Sequence, residues 1–264
     1  MLLAGSVLDR LPGAKYLAKL RFVEFAPRDP LPRVPTLRRM RGELRAPCTI
    51  SLRAPKSALV SARGPLRFDA ELERGFEWLL QARDALAAKL VVLPTPPDLT
   101  PGKRDRDLFA ALCARLPREA GRHWVWDPSG PWEPEAAAAF ARELGLVLAF
   151  DPLIAPRPIG DVTYARLRAL GARKSFSEAA LEDVVAQVGG EGDAETFVAF
   201  DAERSFEPAV RLQKIAGGLE GGASSAGDDG GEDEDESDED ELDVDEDDED
   251  LDDEDDDSDD DAEP

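Results

Sequence analysis

The chain of 264 residues has one histidine and two cysteines, and these scarcities narrow its chemistry. Neither cysteine belongs to a C-x-x-C pair, so a thioredoxin-type or zinc-ribbon site has no basis. Cys48 and Cys113 sit in apolar settings and read as buried, reduced thiols. His123 opens an apolar run and is a poor metal ligand there, and no Asp/Glu spacing of a known metal loop occurs. G-x-S-x-G, P-loop, H-E-x-x-H and G-x-G-x-x-G are all missing, and the glycines at Gly189–Gly192 follow a helical pattern rather than a strand. No metal and no cofactor is called for. No apolar run reaches the length of a membrane span, and the N-terminus MLLAGSVLDR lacks the basic, long-apolar layout of a signal peptide. The expectation is a cytoplasmic protein without a membrane partner. Its preference for Arg over Lys and its richness in Ala suit a GC-rich bacterial genome.

Positive charge is wholly absent from the last 37 residues, Asp228 to Pro264, which hold 28 Asp and Glu. Subtracting those 28 from the total of 57 acids leaves 29, against 32 Lys and Arg. The net charge of −25 therefore belongs to the tail, and residues 1–227 are slightly basic. With only Leu242, Val244 and Leu251 as large apolar residues, the tail cannot offset its conformational entropy and reads as disordered. Its D-x-D segments lack the glycine of an EF-hand loop. The preceding 217–227 stretch reads as a flexible Gly/Ser linker. Residues 1–216 are then one domain with room for a single substantial core.

Short apolar runs recur through that domain: Leu2–Ser6, Arg21–Phe25, Cys48–Arg53, Lys89–Leu93, His123–Trp126, Leu144–Phe150, Val162–Leu167 and Thr196–Phe200. Helical periodicity separates most of them. Leu37, Met40 and Leu44 share one face; Leu72, Phe76, Leu79, Leu80 and Leu86 another; Leu108, Leu112 and Leu116 a third. Pro134 suits a first helical turn. Ser175 and Glu178 have capping-box spacing, and a last helix is expected from Phe206 to about Ile215, capped by Ser205. The connection Asp151–Gly160, with three prolines, breaks the series. Strict strand–helix alternation implies parallel strands. Eight of them predict a single (β/α)8 TIM-barrel domain with a degenerate sixth helix. An open doubly wound sheet is the alternative.

In such a barrel chemistry gathers at the carboxyl ends of the strands. The polar residues there are Ser6, Glu24, Arg53, Lys56, Asp127, Asp151, Arg166, Arg168 and Asp201. Glu24, between Val23 and Phe25, needs a basic or hydrogen-bonding partner inside a tight barrel, which Arg53 or Arg166 supplies. Glu24 and Asp151 are the candidate acid/base residues; Arg53, Lys56 and Arg166 are the candidate ligand-binding residues. Residues 1–67 also carry 14 Lys and Arg against 4 acids, densest at Leu37–Arg45. That is either a solvated helix face or a polyanion-binding stripe.

The order of segments resembles the YecE-like TIM-barrel family, domain-of-unknown-function family 72. VTYARLRALG resembles the family's "YVRLHG" strand, and FSEAALEDVVAQV the helix after it. TFVAFDAERSFEPAVRLQKI resembles "VYVFFNN…A..NA..L", KLVVLPTPP "LFQLPP", RFVEFAPRDPLPRVPTLRRM "VEINSTFYRLP", and SLRAPK "FAVKAPR". The departures are concentrated in the polar positions. The "GTSGWSY" element stands as AGSVLDR, "EFRHPSW" as VWDPSGPW, Arg168 replaces the histidine of "RLHG", and Asp201 and Ala202 replace two asparagines. The resemblance implies the barrel fold and a pocket much altered from the family's.

Three readings of function follow. The first is a ligand-binding barrel that has lost its catalytic pocket, with an anionic small molecule as the expected ligand. The second is an enzyme acting on an anionic substrate such as a phosphorylated one. The third is a polyanion-binding or interaction protein gated by the tail, with a basic protein as the tail's partner and nucleic acid disfavoured.

Overall fold

The structure, a computed structural model, describes residues 1–44, 47–169, 175–189 and 194–222, the last four without their side chains. The polyacidic tail, most of the linker and Arg45 of the basic stretch lie outside the described residues. The chain runs β1 (Leu2–Leu8), α1 (Ala14–Leu17), β2 (Phe22–Phe25), α2 (Val34–Gly42) and β3 (Thr49–Arg53). A small hairpin, β4 (Val60–Ser61) with β5 (Gly64–Pro65), leads into α3 (Ala70–Ala85) and β6 (Leu90–Thr95). Next come α4 (Lys103–Cys113), β7 (His123–Pro128), α5 (Pro134–Glu143) and β8 (Val147–Phe150). The order closes with β9 (Val162–Arg168), α6 (Glu178–Val188), β10 (Glu195–Asp201) and α7 (Phe206–Gly222). Eight strands form a closed parallel barrel in the order β1-β10-β9-β8-β7-β6-β3-β2. This is the expected (β/α)8 barrel, and no helix joins β8 to β9. The open doubly wound sheet is thereby excluded.

The barrel strands are largely buried on both faces, as a parallel barrel requires. One face points to the barrel axis, where Phe22, Leu90, Val92, Val125, Tyr164 and Phe197 pack together. The other packs on the helices: Val23, Phe25, Val91, Leu93, Trp124, Trp126, Leu167 and Val198 join the larger outer core. The α3 stripe Leu72, Phe76 and Leu79 is fully buried. Asp69 caps that helix, its side chain accepting from the Glu71 and Leu72 amides at 3.0 Å each. Such a cap contributes about 1 kcal/mol. Gly5 on β1 is needed for closure, since a Cβ there would stand 2.1 Å from the Phe22 carbonyl oxygen of β2.

Three local expectations are revised. The strand expected over Leu144–Phe150 begins only at Val147, because Gly145, with φ of 64°, turns the chain out of α5. Ser177, not Ser175, caps α6, accepting from the Ala180 amide at 3.2 Å; Ser175 lies too far before the first helical residue. Helix α7 starts at Phe206 as expected but continues past Ile215 to Gly222. The β4–β5 hairpin was not anticipated, its two-residue strands being too short to show a period.

Candidate functional site

Side chains two residues apart on a strand point the same way. The inward direction of Phe22, Val125, Tyr164 and Phe197 therefore carries on to Glu24, Asp127, Arg166 and Asp201 at the carboxyl end. By the same rule Ser51 leads to Arg53, and Arg166 to Arg168. Seven ionisable groups thus gather at one end of the axis, the seventh being Asp151 just past β8.

Arg166 organises them. Its Nη2 donates to both carboxylate oxygens of Glu24, its Nη1 to Asp201 Oδ2 at 2.8 Å, and its Nε lies 3.3 Å from Asp127 Oδ2. That last contact is an ion pair without hydrogen-bond alignment, since Nε has no hydrogen-bond partner. Arg166 and Glu24 are both 0% exposed. Glu24 also accepts from the Tyr164 hydroxyl at 2.5 Å, and that hydroxyl lies 3.2 Å from Ser51 Oγ. Around this centre, Arg168 Nη2 donates to both oxygens of Asp127 at 2.6 Å, and Arg53 Nη1 reaches Asp201 Oδ2 at 3.2 Å. The outer members are half-buried: the Arg53 and Arg168 side chains are each 29% exposed and Asp201 31%.

The titration behaviour follows. Burial opposes the Arg166 charge, but Glu24 and Asp127 outweigh it and hold the guanidinium protonated far above its ordinary range. Burial, with Glu24 beside it, pushes the Tyr164 hydroxyl well above 10.0, so it stays a neutral donor. Burial alone would raise Asp201; Arg166 and Arg53 overcome it and hold the carboxyl below 3.8.

The candidates from the sequence separate here. Glu24, Arg53 and Arg166 meet in one network, and Arg166 rather than Arg53 is the partner of Glu24. Asp151 is buried at the rim, its Oδ1 accepting from the Leu153 amide at 2.9 Å, the role of a turn residue. Lys56 is exposed and outside the network, in a cleft it shares with Arg53. Ser6 faces the helices, its amide donating to Tyr16 Oη at 2.8 Å. Tyr164 and Ser51 were missed as members of the site; their inward phase, two residues before Arg166 and Arg53, is the signal that finds them. His123 is at the opposite end, where burial lowers its pKa. Among the described residues no group of three His, Cys, Asp or Glu side chains is arranged to hold a metal ion. Cys48 and Cys113 are buried and unbridged, burial pushing their thiols up to about 11 and about 12.

Two clefts open beside the network. One of about 420 Å3 lies between the ends of β3 and β6. A larger one, about 670 Å3, runs from Asp127 and Arg168 past Asp151 to α5, where the connection without a helix leaves room. Ile154 and Ile159 are exposed on that connection. Among the described residues no helix is long and apolar enough to cross a membrane.

These features define a TIM barrel with a charged, largely filled mouth. In sequence no family model and no curated protein matches the chain. In structure it is similar to a DUF72 family protein of Enterococcus faecalis, with a TM-score of 0.62 and 12% identity over 82% of this chain and 96% of that one. A DUF72 family protein of Thermotoga maritima gives 0.52 and 16% identity over 76% and 85% of the two chains. The protein SacUVDE gives 0.56 and 10% identity over 83% and 99%. The fold resembled in the sequence is thus the fold observed: that of DUF72 proteins.

Proposed function

We propose that the chain is a divergent DUF72-type barrel that binds a small ligand at its mouth and no longer carries out chemistry there. One observation carries this reading: Glu24, the best-placed candidate base, is fully buried with both oxygens engaged, by Arg166 and Tyr164. A general acid or base must come within hydrogen-bond reach of its substrate, and nothing can approach Glu24 without dismantling the network. Tyr164, kept neutral by burial, and Asp151, engaged by the Leu153 amide, do not take its place. The half-exposed Arg53, Arg168 and Asp201 remain at the rim as groups a ligand can touch.

The test is a thermal-shift screen of the full chain against polar metabolites, followed by NMR of each hit over a day. The expected result is at least one ligand that raises the melting temperature and stays chemically unchanged. A hit consumed by catalytic amounts of protein overturns the reading in favour of an enzyme. A screen in which nothing shifts the melting temperature overturns it too.

A further inference from the structure

We infer that the cleft between β3 and β6 is an oxyanion site, in which Lys56 and Arg53 hold the phosphate or carboxylate group of the small ligand. This rests on the ligand-binding reading above and adds the place and the chemistry. The two clefts at the mouth differ in sign. The larger one has Asp127, Asp151, Asp161 and Glu135 in its walls beside its arginines. The smaller has Arg53 and Lys56 and, among the described residues, no carboxylate in its lining. At about 420 Å3 it falls within the size range of small-molecule sites.

The two cations are unequally committed. Among the described residues Arg53 is tied to Asp201 through Nη1 alone, which leaves most of its five donors unused. Lys56 is exposed and forms no ion pair among the described residues. Thr95 lines the same cleft, its buried Oγ1 accepting from Trp126 Nε1 at 2.9 Å. Pro55 and Pro94 flank the cations. Proline has a fixed φ and no N–H, so these walls are stiff and the charge recognition falls to side chains. An apolar remainder of the ligand packs on them with little reorganisation.

The experiment titrates the full chain at low salt with inorganic phosphate, phenyl phosphate, benzoate and, as the uncharged control, benzyl alcohol. Saturable binding of phenyl phosphate or benzoate is expected, the stronger of the two naming the head group. Lys56→Gln should weaken it about tenfold, the size of one charge-assisted hydrogen bond. Its ligand-free melting temperature should match wild type, because Lys56 is exposed, and Lys56→Arg should keep most of the affinity. Wild type that saturates with none of the anions overturns the site, as does Lys56→Gln binding them like wild type. If the metabolite screen yields a ligand whose affinity Lys56→Gln leaves unchanged, the ligand-binding reading stands and this site falls. If a ligand held by Lys56 is turned over, the site stands and the non-catalytic reading falls.

Discussion

The two ends of the barrel axis solve the same problem with different amounts of charge. At the amino end Lys89 and Glu195 form an ion pair with His123 beside them, and Lys89 Nζ lies 5.7 Å from the Phe197 ring centre. Both partners are about one-third exposed, at 31% and 34%. At the carboxyl end the Glu24–Arg166 pair lies at zero exposure and is wired to Asp127, Asp201, Arg53 and Arg168. Water still screens the first pair, which makes it a cheap plug. The second has given up its hydration, so each member depends on the others. Charge concentrated at the functional end of a TIM barrel signals a site; here the same charge also fills that site.

Removing one member from each end tests this contrast. Arg166→Met leaves Glu24 buried without its counter-ion and should cost about 3–5 kcal/mol in urea unfolding, the range for breaking a buried pair. The double change Glu24→Leu with Arg166→Met should cost less than that single change, because no orphan charge remains. A double variant as unstable as the sum of its singles would show that the pair is held by packing and not by charge.

Asp201 lies between the extremes. Replacing it with Asn should cost roughly 1–2 kcal/mol at pH 7, between the values for exposed and buried pairs. The pH dependence has a definite sign. Asp201 titrates below its ordinary 3.8 in the folded protein. Its stabilisation is therefore complete above that ordinary value and disappears as pH falls through the lowered one. The stability difference between wild type and Asp201→Asn should close below about pH 4. A difference that does not shrink at all as the pH falls through the acid range would assign the effect to shape.

The smallest effect is expected at the amino end. Glu195→Gln should change stability by less than about 1 kcal/mol, as for other solvent-screened pairs. A loss equal to that of Arg166→Met would erase the distinction between the two ends.

Much of this architecture is legible in the sequence. Repeated apolar runs such as Val162–Leu167 and Thr196–Phe200 mark strands buried on both faces, and the prolines of 151–160 mark the connection without a helix. Glu24 between Val23 and Phe25 announced a buried carboxylate in need of a partner. Its partner was ambiguous because Glu24 and Arg166 are 142 residues apart, and nothing local links them. The late start of β8 was not legible, because the left-handed turn at Gly145 leaves no trace in apolar periodicity.

Sequence by itself thus determined the number, order and parallel sense of the eight barrel strands, since those follow from local periodicity and from the rule that alternating elements pack in layers. It also separated a slightly basic barrel domain from the acidic run after it, which is plain arithmetic on charge. Only the tertiary structure decided which charges neutralise one another. Closure of the barrel brings β2, β3, β7, β9 and β10 to one axis, where hydrogen-bond reach is about 3 Å, and small differences in direction choose partners. At that axis Glu24 is one half of a buried ion pair with Arg166, while Lys56 lies outside the network.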